Sequence, residues 1–383
     1  MRIGIVTRSQ VDYAIDLANG FIAEGQDVSL YLDHAETVEE VGSSAPPLEI
    51  LYSAAILPKT CKVNLLALPR MRDVRSIQVL RNLRHTLQDE HVQVMHILLN
   101  PGEIWLAVLA SLVSDVAVVT TMIVPVANAG ERLPSRLVWA RNKLAALGSD
   151  IVIVNAADQV ELVKRRYGIA NSRVAHVPLS MHARSARWDS GEVREDPDTI
   201  LFFGRAHPQK GLEYLVKAQP LITQRIPAAR ILISAHGEDL QRCRQMILDP
   251  SKFEITEGVV AAEVMAALFR RAALVVLPYI TASTSGVLVT AYSYGKPVVA
   301  SRVGALAEYV EEGVTGLLVP PCDVEQLAGA IVRLLRDDAL RLQMGRNGLH
   351  WSREMQKVAV QQTLAVYQRA IGLHARGKVA NAA

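Results

Sequence analysis

Apolar positions recur along this chain with two alternating periods. Arg2–Thr7 is a short aliphatic run, the pattern of a parallel strand buried on both faces. Ala14, Leu17, Ala18, Phe21 and Ile22 follow at helical spacing and stop at Gly25, a suitable C-cap. Asp27–Leu32 reads as a second strand, so the segment is a βαβ unit with a right-handed crossover. The pattern then predicts strands at Val92–Leu98, Val116–Ile123, Asp150–Val154 and Arg173–Pro178. Helices are predicted at Ile104–Val113, Leu137–Leu147 and Val160–Tyr167. From Ser180 to Asp198 the chain turns polar and charged, with few aliphatics, as an interdomain linker does. The alternation restarts with strands at Thr199–Phe203, Ala229–Ser234, Leu274–Leu277 and Pro297–Ser301. Its helices are predicted from Gly211 to Leu221, Val264 to Phe269, Val287 to Tyr294, Val324 to Arg336 and Glu354 to Leu373. The expected architecture is α/β: one doubly wound domain over 1–180, a linker over 181–198, a second domain over 199–353 and a terminal helix over 354–383.

The length of 383 residues agrees with two domains at about 100–200 residues each. Apolar residues make up 50% of the chain and charged ones 21%, which excludes a largely disordered protein. The net charge of +3 does not predict a nucleic-acid binder. Cys61, Cys243 and Cys322 are odd in number and far apart, so neither a disulfide framework nor a cysteine zinc site is expected, and a cytoplasmic setting fits. The start MRIGIVTRSQ is interrupted by charge at once, unlike a signal peptide. The weakly charged stretch Ile104–Gly130 is split by Asp115 and reads as a buried helix and strand rather than a membrane span. Arg70, Arg72, Arg75, Arg81 and Arg84 line a helix whose apolar side is Val74, Ile77, Leu80, Leu83 and Leu87. Such a helix either faces the core with a solvated basic side or makes peripheral contact with the inner face of a membrane.

Two segments carry candidate chemistry. In FFGRAHPQKGLEYLVKA a strand ends at Gly204, a loop carries Arg205 and Lys210, and a helix starts near Gly211. Two cations beside a helix N-terminus suit a diphosphate, with Arg as the bidentate partner and Lys as a point charge. The plain alternative is a solvated loop with a helix cap. In LPYITASTSGVLVTAYSYGKP a strand runs into a small-residue loop, and Ser285 and Gly286 place backbone amides at the next helix N-terminus as a second anion cradle facing the first. Asp196 and Asp198 spell D-x-D, but inside the linker, where coincidence is the better account. His96 and His176 lie in predicted strands. A strand histidine is more often a satisfied core residue than a ligand, although His96 stands as an acceptor-side candidate.

From Gly204 to Asp323 these segments resemble the nucleotide-binding half of the retaining family-4 glycosyltransferases of GT-B fold (glycosyl transferases group 1). GRAHPQKG stands for the family's G-R-x-x-x-x-K-G loop. EGVVAAEV with Glu263, SYGKPVVASRVGALAEYV and EEGVTGLLVPPCD follow in family order. The resemblance implies two Rossmann-like domains facing a central cleft, with a terminal helix returning toward the first. It implies that Gly204, Arg205, Lys210, Gly211, Ser285, Gly286 and Val287 hold the donor diphosphate. Thr290 and Gly258, Val259 and Val260 fall at the ribose and base. Acceptor-side candidates are Asn128 and His96. No metal and no cofactor beyond the nucleotide-sugar donor is implied.

The chain also departs from the family. Ala282 and Thr290 stand where a pair of glutamates is usual, as in a subset of the family. TRSQVDY replaces a Gly-Gly loop. Ile123 and Val124 replace a His-Asp pair and Asn128 a histidine, while Thr121, Gly130 and Glu131 match. The expected function is transfer of a sugar from a nucleotide sugar to a glycan, lipid or small-molecule acceptor. The alternative is a catalytically inactive, glycosyltransferase-like subunit that binds nucleotide or a partner protein.

Overall fold

The structure, a computed structural model, describes residues 1–41, 45–53, 55–67, 75–100, 103–113, 115–125, 135–179 and 193–382. The described residues divide into two compact units: those within 1–125, 135–179 and 356–382 form the first, and those within 193–355 the second.

The first unit is built on a seven-stranded sheet of order β3-β2-β1-β4-β5-β6-β7. Its strands are β1 (Arg2–Thr7), β2 (Asp27–Asp33), β3 (Lys62–Leu66), β4 (Val94–Leu99), β5 (Ala117–Met122), β6 (Ile151–Val154) and β7 (Val174–His176). All pairs are parallel, with Ile5 opposite Leu30 on one side and His96 on the other. The second unit has a six-stranded parallel sheet of order β10-β9-β8-β11-β12-β13. These are β8 (Thr199–Arg205), β9 (Arg230–His236), β10 (Phe253–Glu257), β11 (Leu274–Leu277), β12 (Val298–Ser301) and β13 (Gly316–Val319).

Central strands are buried along nearly their whole length, which is why they read as largely aliphatic runs. The edge strands β3 and β10 escape the periodicity because no more than one face of an edge strand packs well. Lys62 and Asn64 interrupt β3, and exposed Glu254 and Glu257 interrupt β10. In the second unit the helix Val324–Arg336 lays Leu327, Ile331 and Leu334 on the sheet, and Leu212, Leu215 and Ile222 of the helix Leu212–Thr223 join the same core.

Two expectations change. The terminal helix begins at Asp338 rather than Glu354 and runs unbroken to Ala382, with no proline to stop it. The basic helix spans Arg75–Asp89. Leu80, Leu83 and Leu87 are buried in the first core, but Ile77 is 48% exposed and does not belong to the apolar face. Val74, Arg70 and Arg72 lie outside the described residues. Among the described residues no helix is long and apolar enough to cross a membrane. Cys61, Cys243 and Cys322 are free.

Candidate functional site

The second sheet changes the direction of strand addition between β8 and β11. In doubly wound sheets the crevice outside the carboxyl ends of two such strands is where ligands bind. Arg205 is the last residue of β8, opposite His236, rather than the first residue of the loop. Its side chain is exposed. A single 3-10 turn, Pro208–Lys210, leads through Gly211 into the helix Leu212–Thr223.

The loop after β8 is fastened to the loop after β11. The amide of Ile280 donates to the carbonyl of Gln209 at 2.8 Å. Gly211 has φ +65°, and a Cβ there would lie 1.9 Å from the carbonyl oxygen of Pro278, so only glycine allows the approach. Gly304 does the same from the other side: at φ +44° its added Cβ would lie 1.8 Å from the carbonyl oxygen of Ala282. The Lys210 ammonium stands 3.7 Å from the centroid of the Tyr279 ring.

The nearby acids face groups other than Arg205 and Lys210. Glu238 faces His207 at 3.7 Å, and Glu213 pairs with Arg242 at 2.8 Å and Lys217 at 3.8 Å. Among the described residues neither Arg205 nor Lys210 makes an ion pair, so both retain their charge for an anion.

The loop after β11 ends in Ser285, the N-cap of the helix Gly286–Ser293. Its Oγ accepts the Leu288 amide at 3.3 Å and its carbonyl accepts the Val289 amide at 3.4 Å. Gly286 and Val287 keep amides with no partner inside the helix. A Cβ on Gly204 would lie 3.5 Å from Val287 Cγ2, so the end of β8 and this helix start are neighbours.

Gly204, Arg205, Lys210, Gly211, Ser285, Gly286 and Val287 therefore gather at one corner of the second unit. Gly258, Val259 and Val260 leave β10 on the same edge, where the Gly258 amide donates to the Ala235 carbonyl at 3.0 Å, and Val259 is 67% exposed. Thr290 lies one turn into its helix and is buried. Asp196 and Asp198 form the turn before β8, with the Asp198 amide donating to Asp196 Oδ1 at 3.2 Å. Among the described residues no group of three or more His, Cys, Asp or Glu is placed to hold a metal ion. Reading the loops one at a time missed Tyr279 and Gly304. Their roles depend on two loops meeting, and the only local signal was an aromatic just past the end of a strand.

The acceptor-side assignments fare differently. Asn128 lies outside the described residues. His96 sits mid-β4, 1% exposed, with Nδ1 2.7 Å from Tyr367 Oη and Nε2 2.7 Å from Thr121 Oγ1. Burial pushes its pKa from 6.5 down to about 3. It is a satisfied core histidine and offers no ring atom to an acceptor. His176 ends β7.

The first sheet has its own reversal point, between β1 and β4. There Glu103 Oε1 accepts from Ser9 Oγ at 2.6 Å and Oε2 from the Asn100 amide at 2.7 Å. Arg141, 2% exposed, donates to the Asn100 carbonyl at 2.8 Å and to Asn142 Oδ1 at 2.9 Å from Nε. Arg8 Nε lies 3.7 Å from Glu36 Oε1. Burial holds the Glu103 carboxyl above the usual glutamate range.

Comparison with known proteins decides the lineage. The "Glycosyl transferases group 1" family matches residues 197–337, and the "Glycosyl transferase 4-like domain" family matches residues 10–180. The chain belongs to the GT4-type glycosyltransferase family of GT-B fold. A D-inositol 3-phosphate glycosyltransferase of Pseudarthrobacter chlorophenolicus is 32% identical over 215 residues, covering 52% of this chain and 50% of that protein. This GT4-type chain spans about half the length of the curated relatives it matches. Its fold is that of sucrose-phosphate synthase from Thermosynechococcus elongatus, with TM-score 0.71 and 19% identity over 96% of this chain and 98% of that one. It is also that of HepE from Anabaena in complex with UDP-glucose, with TM-score 0.68 and 14% identity over 96% of this chain and 100% of that one.

Proposed function

We propose that the chain transfers a sugar from a nucleotide-sugar donor to a hydroxyl acceptor, with retention at the anomeric carbon. The observation that carries this reading is the pair of cations without ion-pair partners among the described residues, Arg205 and Lys210, at the β8–β11 reversal point beside the amides of Gly286 and Val287. Breaking the bond between the sugar and the diphosphate puts negative charge on the leaving oxygen. Donors already aimed at that oxygen stabilise the charge without reorganising, and removing one such donor typically costs about 10²–10³ in rate. Arg205 grips phosphate oxygens through its fork, Lys210 adds a point charge, and the helix amides cap the distal phosphate.

Thr290 would meet the ribose with a single hydroxyl where the family usually offers a carboxylate, and Gly258, Val259 and Val260 would border the base. A uridine diphosphate sugar is the first donor to try, because HepE of the same fold is described with UDP-glucose. The test is to incubate the protein with a panel of nucleotide sugars, with and without glycan, polyol and lipid acceptors, and to follow donor loss and the anomeric configuration of the product. Turnover of one donor with retention is expected. Nucleotide binding with no transfer to any acceptor would instead make the chain an inactive binding subunit, as the aliphatic pair Ile123 and Val124 would fit.

A further inference from the structure

We propose that Tyr279 is a positioning residue for the donor diphosphate and that its ring holds the Lys210 ammonium in place. The proposal rests on the donor-site reading above. Tyr279 stands two residues beyond the end of β11 and is 2% exposed, so its ring is fixed by the core. One face of the ring lies 3.7 Å from Lys210 Nζ. The other end of the side chain, Oη, lies 3.3 Å from Ser285 Oγ, the group that caps the Gly286–Ser293 helix. A single side chain therefore spans both halves of the cradle, one carrying the cation and the other the free amides.

The chemistry of the contact matters. A lysine stem is long and flexible, and ordering it when a ligand arrives costs side-chain entropy. A carboxylate could hold it, but would cancel its charge. The ring holds the ammonium through its quadrupole and leaves the full positive charge available to an anion. Its three N–H donors can then turn to phosphate oxygens while the stem rests on the ring.

Calorimetry with UDP, GDP and ADP first selects the diphosphate that the wild type binds most tightly. Tyr279→Leu is expected to weaken that diphosphate by about tenfold. The matching nucleoside, followed by ligand NMR, should bind as to wild type, which a general disturbance of the fold would not allow. Tyr279→Phe keeps the ring and should stay within about twofold of wild type. Adding Lys210→Met to Tyr279→Leu should cost little more, because the two residues act as one unit.

Diphosphate affinity unchanged in Tyr279→Leu while Lys210→Met weakens it would overturn the proposal and leave the site standing. Equal losses in Tyr279→Phe and Tyr279→Leu would overturn it as well. A wild type that binds none of the three nucleotides, or Arg205→Ala and Lys210→Met variants that bind like wild type, would bring down the site itself. Should Tyr279→Leu fail to fold, carbon-13 dimethylated wild type gives the answer. The Lys210 signal, assigned by its loss in Lys210→Arg, should lie upfield from the ring current, and a signal at the ordinary lysine position would refute the contact.

Discussion

Each sheet reverses its direction of strand addition once, between β1 and β4 in the first unit and between β8 and β11 in the second, and the two crevices are filled in opposite ways. In the first, the described polar groups Ser9, Asn100, Glu103 and Arg141 are tied into hydrogen bonds. Glu103 takes Ser9 and the Asn100 amide, and Arg141 takes Asn100 and Asn142. In the second, Arg205, Lys210 and the amides of Gly286 and Val287 lie at one corner, neither cation has an ion pair among the described residues, and Glu213 pairs with Arg242. Topology alone supplies a crevice twice. What differs is whether the described side chains already neutralise it, and that difference is why we propose the second crevice as the anion site.

The largest effect expected is on the side where the charges are committed. Arg141→Ala leaves buried acceptors on Asn100 and Asn142 unfilled and should lower unfolding stability by about 3–5 kcal/mol in urea titration. Nucleotide affinity of the protein that remains folded should not move. A variant as stable as wild type that has lost nucleotide binding would reverse the comparison.

Next comes the fastening of the second crevice. Gly211→Ala must hold alanine at φ +65° and push Pro278 away, at a cost of about 2–3 kcal/mol together with loss of diphosphate binding. Gly25→Ala, at φ +72° with nothing within 4 Å of the added Cβ, carries the backbone cost alone and should lose about 1 kcal/mol. Equal losses at the two positions would mean that the two loops are not held by this contact.

Arg205→Ala should do the opposite of Arg141→Ala. Its side chain is exposed and without an ion pair among the described residues, so unfolding stability should stay within about 0.5 kcal/mol. Diphosphate affinity should fall about tenfold or more, as loss of a charge-assisted hydrogen bond worth about 1.5–3 kcal/mol implies. Calorimetry and thermal unfolding on one preparation check both halves.

How much of this was legible in the sequence follows from the same contrast. The second crevice announces itself locally: Gly204, Arg205, Lys210 and Gly211 sit within one strand-to-helix segment, and Ser285 and Gly286 within another. The central strands were legible because burial on both faces makes them mostly aliphatic. The first crevice was invisible, since Ser9, Glu103 and Arg141 come from three distant segments that only the folded sheet brings together. Tyr279 falls between these cases. Its place after β11 was readable, but its ring meeting Lys210 depends on the register of two loops. His96 follows the plainer of its two readings, a satisfied core histidine, but its partners, one from β5 and one from the terminal helix, come into view only in the fold.

His96 also supplies the smallest and cleanest test of the inward-turned chemistry of the first unit. Its two hydroxyl partners, Tyr367 and Thr121, could each accept a hydrogen bond, so hydrogen bonding does not by itself forbid an imidazolium. Burial forbids it: the ring has no solvent to stabilise the charge, and the folded pKa drops from 6.5 to about 3. The unfolded chain therefore takes up a proton as pH falls through 6.5, while the folded protein does not until about 3. Stability contributed by the neutral ring is fully present above 6.5 and is lost progressively below it. The slope from one proton is at most about 1.4 kcal/mol per pH unit. Carboxylates elsewhere add their own acid sensitivity, so the informative quantity is the difference between wild type and His96→Gln in urea unfolding at successive pH values. The variant is expected to be less stable at pH 7 but flatter toward acid, with the two curves converging as pH falls. Parallel curves would mean that His96 is protonated in the folded protein, and that the first unit holds a charge where its packing says it cannot.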